Sequence, residues 1–203
     1  DGRKISVSSE KVVVTTGAHS LNELLPFISP DLLAPLTSLV YAKVVQVVAG
    51  YKKWTGDPVN AFGGLVPSKE DRNVLGILFP SSIFDGRAPS GGALLSIFMG
   101  GMRNSVLTEM KDDELKAIAL SMVSRTLHPT SPVPDLIHIF RYVHAIPQYE
   151  ISTGERLKRI IELESHYPGL ILAGNMRDGI GMADRVKQAV SISEGLIINK
   201  GLK

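Results

Sequence analysis

The spacing of apolar and polar positions along this chain sets out its elements before any chemistry is considered. Lys11-Val12-Val13-Val14-Thr15-Thr16 is a β-branched run closed by Gly17 and reads as a buried strand. Ser20 is placed to cap a short helix through Leu25. Ser29-Pro30-Asp31 puts a cap, a first-position proline and a first-turn acid at the head of another helix. Val44, Val45, Val47 and Val48 mark a long strand over 41–54, and further strands are expected over 63–66, 74–79, 93–99 and 136–145. The loops between them are turn-rich, as in Pro67-Ser68-Lys69-Glu70 and the glycine- and proline-bearing stretch 85–92. Leu115, Ile118, Ala119 and Met122 fall on one face of a helix over 111–127, and an amphipathic helix is expected over 153–164. Leu170-Ile171-Leu172-Ala173 is a short apolar strand, followed by a glycine-punctuated turn into a last helix over 182–196. The pattern predicts an α+β fold, a mixed and largely antiparallel sheet with covering helices, with the strands at 11–16 and 170–173 side by side.

Alternation also assigns faces. Strand side chains point to opposite sides in turn, so Phe98 shares a face with Ser96 and Gly100 while Ile97 and Met99 point the other way. The small neighbours leave room for the ring, and Phe98 is expected to project to an open apolar surface shared with Leu65 and Leu78.

Composition narrows the function classes. The chain has 203 residues, 44% hydrophobic and 21% charged, which is an ordinary folded balance with enough material for one core or for a domain and pieces of another. A formal charge of +2 supplies no field of the kind nucleic-acid binding needs, so no nucleic-acid partner is expected. Without cysteine there is no disulfide, iron–sulfur or thiolate chemistry, which suits a reducing, cytoplasmic compartment. The most apolar stretch, 39–50, is interrupted by Lys43 and Gln46 and is shorter than the roughly 18–20 residues of a membrane span, leaving peripheral contact with the inner face of a membrane open. The chain opens on Asp1-Gly2-Arg3-Lys4 rather than methionine and is read as an excised piece of a longer protein.

Two segments carry candidate chemistry. In 170–184, Gly179 and Gly181 let backbone approach a ligand closely, and a helix starting there offers unpaired N–H groups and a positive dipole end to an anionic cofactor. Strand-to-helix turns also contain glycine for purely steric reasons, and the spacing leaves both readings open. In the second segment Leu65, Leu78 and Phe98 sit on adjacent strands and could line one apolar wall for a flat hydrophobic ligand; sheet core is the ordinary alternative. The five histidines are scattered with no zinc-type spacing, no serine sits in G-x-S-x-G, and no acid–base pair can be assigned. Tyr142 and Trp54 read as core or interface aromatics, and Arg156-Leu157-Lys158-Arg159 as a solvated helix face.

Taken in order, Phe62-Gly63-x-Leu65-Val66-Pro67-Ser68-Lys69-Glu70, Leu75-Gly76-x-Leu78-Phe79-x-Ser81-Ser82, Arg87-Ala88-Pro89, Phe98-x-Gly100-Gly101-x-Arg103-Asn104, Ala145-Ile146-Pro147-Gln148-Tyr149 and Leu172-Ala173-Gly174-Asn175 resemble the protoporphyrinogen oxidase family of the flavin-containing amine oxidase superfamily. The resemblance runs from about 12 to 196 and implies a carboxy-terminal portion. It implies a returning segment of an FAD-binding domain over 1–25, a substrate-binding domain over 26–166 and a closing FAD-binding segment over 167–203. It further implies that Leu65, Leu78 and Phe98 hold the faces of a tetrapyrrole substrate, that Tyr142 lies near the flavin, and that Ile180-Gly181-Met182 meets the isoalloxazine end of FAD, with Gly174, Asn175 and Gly179 in the same cofactor-binding segment. The dinucleotide fingerprint and the arginine that relatives use for a propionate would lie upstream, so this piece alone is expected to be inactive. The activity implied is oxidation of protoporphyrinogen IX to protoporphyrin IX with dioxygen as acceptor, with no catalytic side chain in this segment. Coproporphyrinogen oxidation and a non-catalytic porphyrin-binding module stand as alternatives, and the oligomeric state is left open.

Overall fold

The computed structural model describes residues 4–198. The chain forms two compact units, one made of residues 1–41 and 146–203, the other of residues 42–145.

In the first unit, β1 (Val12–Val14) pairs in parallel with β7 (Leu170–Leu172), Val12 opposite Leu170 and Val14 opposite Leu172. The expectation that these two apolar strands lie together holds. Around them pack α1 (Leu21–Leu24), α2 (Pro30–Thr37) and α5 (Thr153–His166), burying Leu21, Leu33, Leu36, Ile160, Leu163 and Met176 in one core. Ser29 caps α2, its side chain accepting the Leu32 N–H at 3.4 Å, with Pro30 in the first turn where no intrahelical donor is needed. The unit ends in α6 (Met182–Ile198).

The second unit is built on a five-stranded sheet in the order β3 (Gly63–Leu65), β4 (Val74–Leu78), β5 (Ala93–Gly100), β2 (Tyr41–Tyr51), β6 (Leu136–Pro147). The β3–β4, β4–β5 and β5–β2 pairs are antiparallel. One face packs on α4 (Asp112–Leu127), whose Leu115, Ala119, Met122 and Val123 meet Val45, Val47, Ala49, Leu95, Ile97 and Met99. Three acids in the first turn of α4 and the Lys111 N–H held by Glu114 at 3.0 Å fix its start. It stops at His128 in the left-handed region, where the ring Nδ1 meets Asp57 at 2.8 Å. The α+β reading and every expected strand are thus present, and the short α3 (Pro80–Ile83) is an addition that its four-residue length hid from periodicity.

The units divide at 41/42 and 145/146, and α2 and α5 bury their apolar faces in the core built on β1 and β7. The run 156–159 is not a uniformly solvated face: Arg156 is 1% exposed, its Nε–H donating to the Met176 carbonyl at 3.0 Å and its guanidinium 5.1 Å from the Tyr149 ring centre.

Candidate functional site

In the first unit the candidate segment is the loop from Ala173 to Gly181 between β7 and α6. Gly174 has φ +83°, and a Cβ there would stand 2.7 Å from the Thr15 carbonyl, so β1 and the loop approach each other only because this residue has no side chain. Gly179 also takes a left-handed conformation, φ +97°, as does Asp178 at φ +61°. These reversals aim the loop carbonyls inward, where side chains collect them. Arg185, one turn into α6, donates from Nη1 to the Gly174 carbonyl; its Nη2 donates to the carbonyls of Arg177 and Gly179, both at 2.8 Å. Its Nε–H is buried with no partner among the described residues. Gln188 accepts the Gly174 N–H at 2.9 Å and donates to Asp178 at 2.8 Å. The Tyr149 hydroxyl reaches the carbonyls of Asn175 and Gly179 at 2.9 and 3.1 Å. Asn175 accepts from the Tyr41 hydroxyl at 3.3 Å. Burial pushes the Tyr41 and Tyr149 phenols above their ordinary range, so both stay protonated donors at neutral pH.

With its carbonyls turned in, the loop presents other groups outward. Ile180 and Met182 are exposed, Met182 at 85%. The first N–H groups of α6 have no intrahelical acceptor, as at any helix start, and Asp184 takes one of the neighbouring donors, the Gly181 N–H, at 3.0 Å. An apolar edge beside free N–H groups suits a flat, electron-rich ring whose charge falls on its polar edge. The structure therefore brings Gly174, Asn175, Gly179, Ile180 and Gly181 into one loop that runs into Met182 at the start of α6; Gly174 and Asn175 build the loop, and Ile180, Gly181 and Met182 form its surface. Sequence reasoning missed Arg185 and Gln188. Their signal was a pair of long polar side chains at i and i+3 that a helix of this start turns back towards its own entry loop.

In the second unit Leu65 stands opposite Gly76, Gly76 opposite Phe98, and Phe98 opposite Gln46; in the adjoining row Leu78 pairs with Gly63 and Ser96. Cross-strand partners share a face, so Leu65, Leu78 and Phe98 lie together on the face away from α4. Ile97 and Met99 are fully buried on the other face, while Leu65 is 88% exposed and Phe98 half-buried. Gly76 has no side chain to fill the space between Leu65 and Phe98. Tyr142 reaches the same face: its hydroxyl meets Gln46 Oε1 at 3.4 Å, and Gln46 Nε2 donates to Ser96 at 2.6 Å. Tyr142 and the 174–182 loop belong to different units.

A family model for flavin containing amine oxidoreductases matches residues 1–189. The chain belongs to that family. It is 32% identical over 143 residues to protoporphyrinogen oxidase 2, chloroplastic/mitochondrial, of Arabidopsis thaliana, an alignment covering 69% of this chain and 28% of the relative. It is 28% identical over 200 residues to the protoporphyrinogen oxidase of Homo sapiens, covering 91% of this chain and 40% of the relative. Among solved structures it resembles a protein of an Exiguobacterium species assigned as a protoporphyrinogen oxidase, with TM-score 0.74 and 21% identity over 93% of this chain and 41% of that one. It also resembles the cyclohexylamine oxidase of Brevibacterium oxydans, with TM-score 0.66 and 16% identity over 97% of this chain and 45% of that one. These likenesses show the flavoprotein fold, and the chain spans about a third of the length of the first curated relatives, 28% to 36%. Among the described residues no helix is long and apolar enough to cross a membrane.

Proposed function

We propose that the full-length protein carrying this chain is an FAD-dependent oxidase that converts protoporphyrinogen IX to protoporphyrin IX. The observation that carries the reading is the apolar face of the second unit, where Leu65, Leu78 and Phe98 surround Gly76 with the core turned the other way. The porphyrinogen macrocycle presents broad apolar faces with its propionates at the rim, and such a wall orients it without a side-chain base. FAD, when bound, would supply the chemistry by accepting hydride equivalents and passing electrons to dioxygen. The chain's own task is position. Arg185 and Tyr149 hold the loop carbonyls inward and Gln188 holds the Gly174 N–H, so that Ile180, Gly181, Met182 and the α6 N–H groups face out towards the ring. On this reading the first unit is part of the FAD-binding domain, the second is the substrate-binding domain, and Tyr142 contacts ligand from the sheet. The phenols of Tyr41 and Tyr149, which burial keeps protonated, secure the loop.

Purified full-length protein is expected to carry FAD and to turn over protoporphyrinogen IX faster than coproporphyrinogen III, followed by porphyrin fluorescence. The reverse preference, or porphyrin binding by a protein without flavin, would overturn the reading.

A further inference from the structure

The face of the sheet turned away from α4 carries a polar cluster that an apolar wall does not need. Cross-strand pairing sets Gln46 beside Phe98 and Val48 beside Ser96, so all four side chains stand on that face. Their surroundings are apolar: Leu65 and Leu78 towards one edge, Leu94 and Leu136 towards the other, the last two within 3.6 Å of where a Gly50 Cβ would stand. Gln46 on β2 and Ser96 on β5 interrupt this surface on two inner strands of the sheet.

The hydrogen-bonding capacity of this cluster is only half used. Ser96 is buried, and its hydroxyl accepts from Gln46 Nε2 at 2.6 Å, which ties the amide nitrogen to β5. The carbonyl end meets β6, where the Tyr142 hydroxyl donates to Oε1 at the long distance of 3.4 Å. A carboxamide offers two N–H donors and two acceptor lone pairs. One of each is taken, and among the described residues Gln46 makes no further side-chain hydrogen bond. A half-buried carbonyl, held in place through its own amide nitrogen, thus keeps acceptor capacity on an open apolar face.

We propose that Gln46 is the specificity-determining residue of this face, its Oε1 accepting an N–H of the ligand that Phe98 carries. Given the reading under Proposed function, on which this rests, the donor is a pyrrole N–H of the macrocycle. A tetrapyrrole is far wider than a phenyl ring, so one resting on Phe98 also covers the neighbouring strand, about 4.8 Å away, and brings its pyrroles over Gln46. A porphyrinogen presents four pyrrole N–H donors and no acceptor nitrogen. In the porphyrin two of those nitrogens have lost their protons, and the two remaining N–H groups lie in the plane of a rigid ring, pointing into its centre. The carboxamide oxygen therefore selects the reduced macrocycle and loses its partner on oxidation, which favours release of the product.

The test is equilibrium dialysis of protoporphyrinogen IX and of protoporphyrin IX against the full-length protein, kept anaerobic and pre-reduced with dithionite so that no turnover occurs. Wild type is compared with Gln46→Leu, Gln46→Glu, Gln46→Leu/Ser96→Ala and Phe98→Ala. A hydrogen bond between neutral groups corresponds to roughly a fivefold change. Gln46→Leu and the double variant should raise the dissociation constant of the porphyrinogen roughly fivefold and leave that of the porphyrin unchanged. Gln46→Glu, which keeps an acceptor but no donor, should retain the preference for the porphyrinogen, and Phe98→Ala should weaken both macrocycles together. A role confined to satisfying Ser96 would lower the melting temperature of Gln46→Leu, restore it in the double variant and leave the ratio of the two dissociation constants at its wild-type value; that result would overturn the proposal, as would Gln46→Glu behaving like Gln46→Leu. Binding does not require turnover, so absence of oxidase activity would sink the proposed function while leaving this test intact, whereas binding of neither macrocycle would overturn both.

Discussion

Ile97 and Phe98 are adjacent on β5 and point to opposite faces, so truncating each in turn separates a core role from a ligand role within one strand. Ile97 has no exposed surface and packs in the cluster with Val47, Leu95, Met99 and Met122. Ile97→Ala should cost about 2–5 kcal/mol, the usual range for a buried aliphatic reduced to alanine. In a domain of this size that lowers the melting temperature by about 5–15 °C. Phe98 is half-buried over a glycine, so only part of its ring is removed from water by folding, and Phe98→Ala should cost about 1 kcal/mol. The corresponding fall in melting temperature is about 2–4 °C. Ligand contact shows the opposite order. If the exposed part of the ring covers a tetrapyrrole face, its loss removes about 1–2 kcal/mol of apolar contact, raising KM for protoporphyrinogen IX about 5- to 30-fold with FAD content unchanged. Ile97→Ala should leave KM near wild type in whatever fraction remains folded. The assay is steady-state kinetics and differential scanning fluorimetry on both variants of the full-length protein. A Phe98→Ala protein that melts as low as Ile97→Ala and keeps the wild-type KM would refute the assignment of the two faces.

Three further outcomes follow from the loop and from Asp71. Arg185→Ala leaves the carbonyls of Gly174 and Arg177 without a donor and that of Gly179 with the Tyr149 hydroxyl alone; at about 1–3 kcal/mol for a stranded acceptor, hydrogen exchange across 174–181 should speed up, and Arg185→Lys should not restore protection because an ammonium lacks the fork. Gly179→Ala forces a Cβ into φ +97° and should destabilise by about 1–2 kcal/mol, whereas Gly195→Ala, with open space around it inside α6, should stabilise by about 0.5–1 kcal/mol; denaturant midpoints that move in the same direction would contradict this. Burial raises the Asp71 pKa, but the N–H groups of Asn73 and Val74 and the Arg125 guanidinium outweigh it and hold the carboxyl below its ordinary 3.8. Its folded-state pKa being depressed, its stabilisation is complete above that ordinary value and is lost as pH falls through the folded one, so unfolding curves of wild type and Asp71→Asn should differ most at neutral pH and converge in acid.

How far the sequence carried these conclusions depends on the range of the interactions involved. Strands were legible because a β-branched run specifies extended backbone locally, and the parity of Phe98 followed from counting along one strand. Ends were less so. The strand expected over 41–54 stops at Tyr51 because the Lys52 N–H turns to the Asp135 carboxylate at 2.8 Å and the Trp54 N–H to the Gly91 carbonyl, partners remote in sequence. The division into units depends on the same kind of information: the apolar stripes of α2 and α5 state that each helix must be covered, not that the cover is β1 and β7.

Arg156 and Arg185 of the first unit show where local reading fails in kind. In its own neighbourhood Arg156 stands among Lys158 and Arg159 on a polar helix and looks solvated, as Arg159 is in its surface pair with Glu162 at 3.0 Å. What draws Arg156 inward is a carbonyl twenty residues on, left without a helical or strand partner because Gly174 and Gly179 reverse the chain around it. The same reversals create the carbonyls that Arg185 collects. A glycine-punctuated turn thus predicts its own arginines: each left-handed residue turns a carbonyl away from regular pairing, and a buried carbonyl needs a donor long enough to reach it. Had the glycines at 174 and 179 been read as creators of orphan acceptors as well as permissive hinges, the search for long donors on the flanking helices would have singled out Arg156 on α5 and Arg185 on α6.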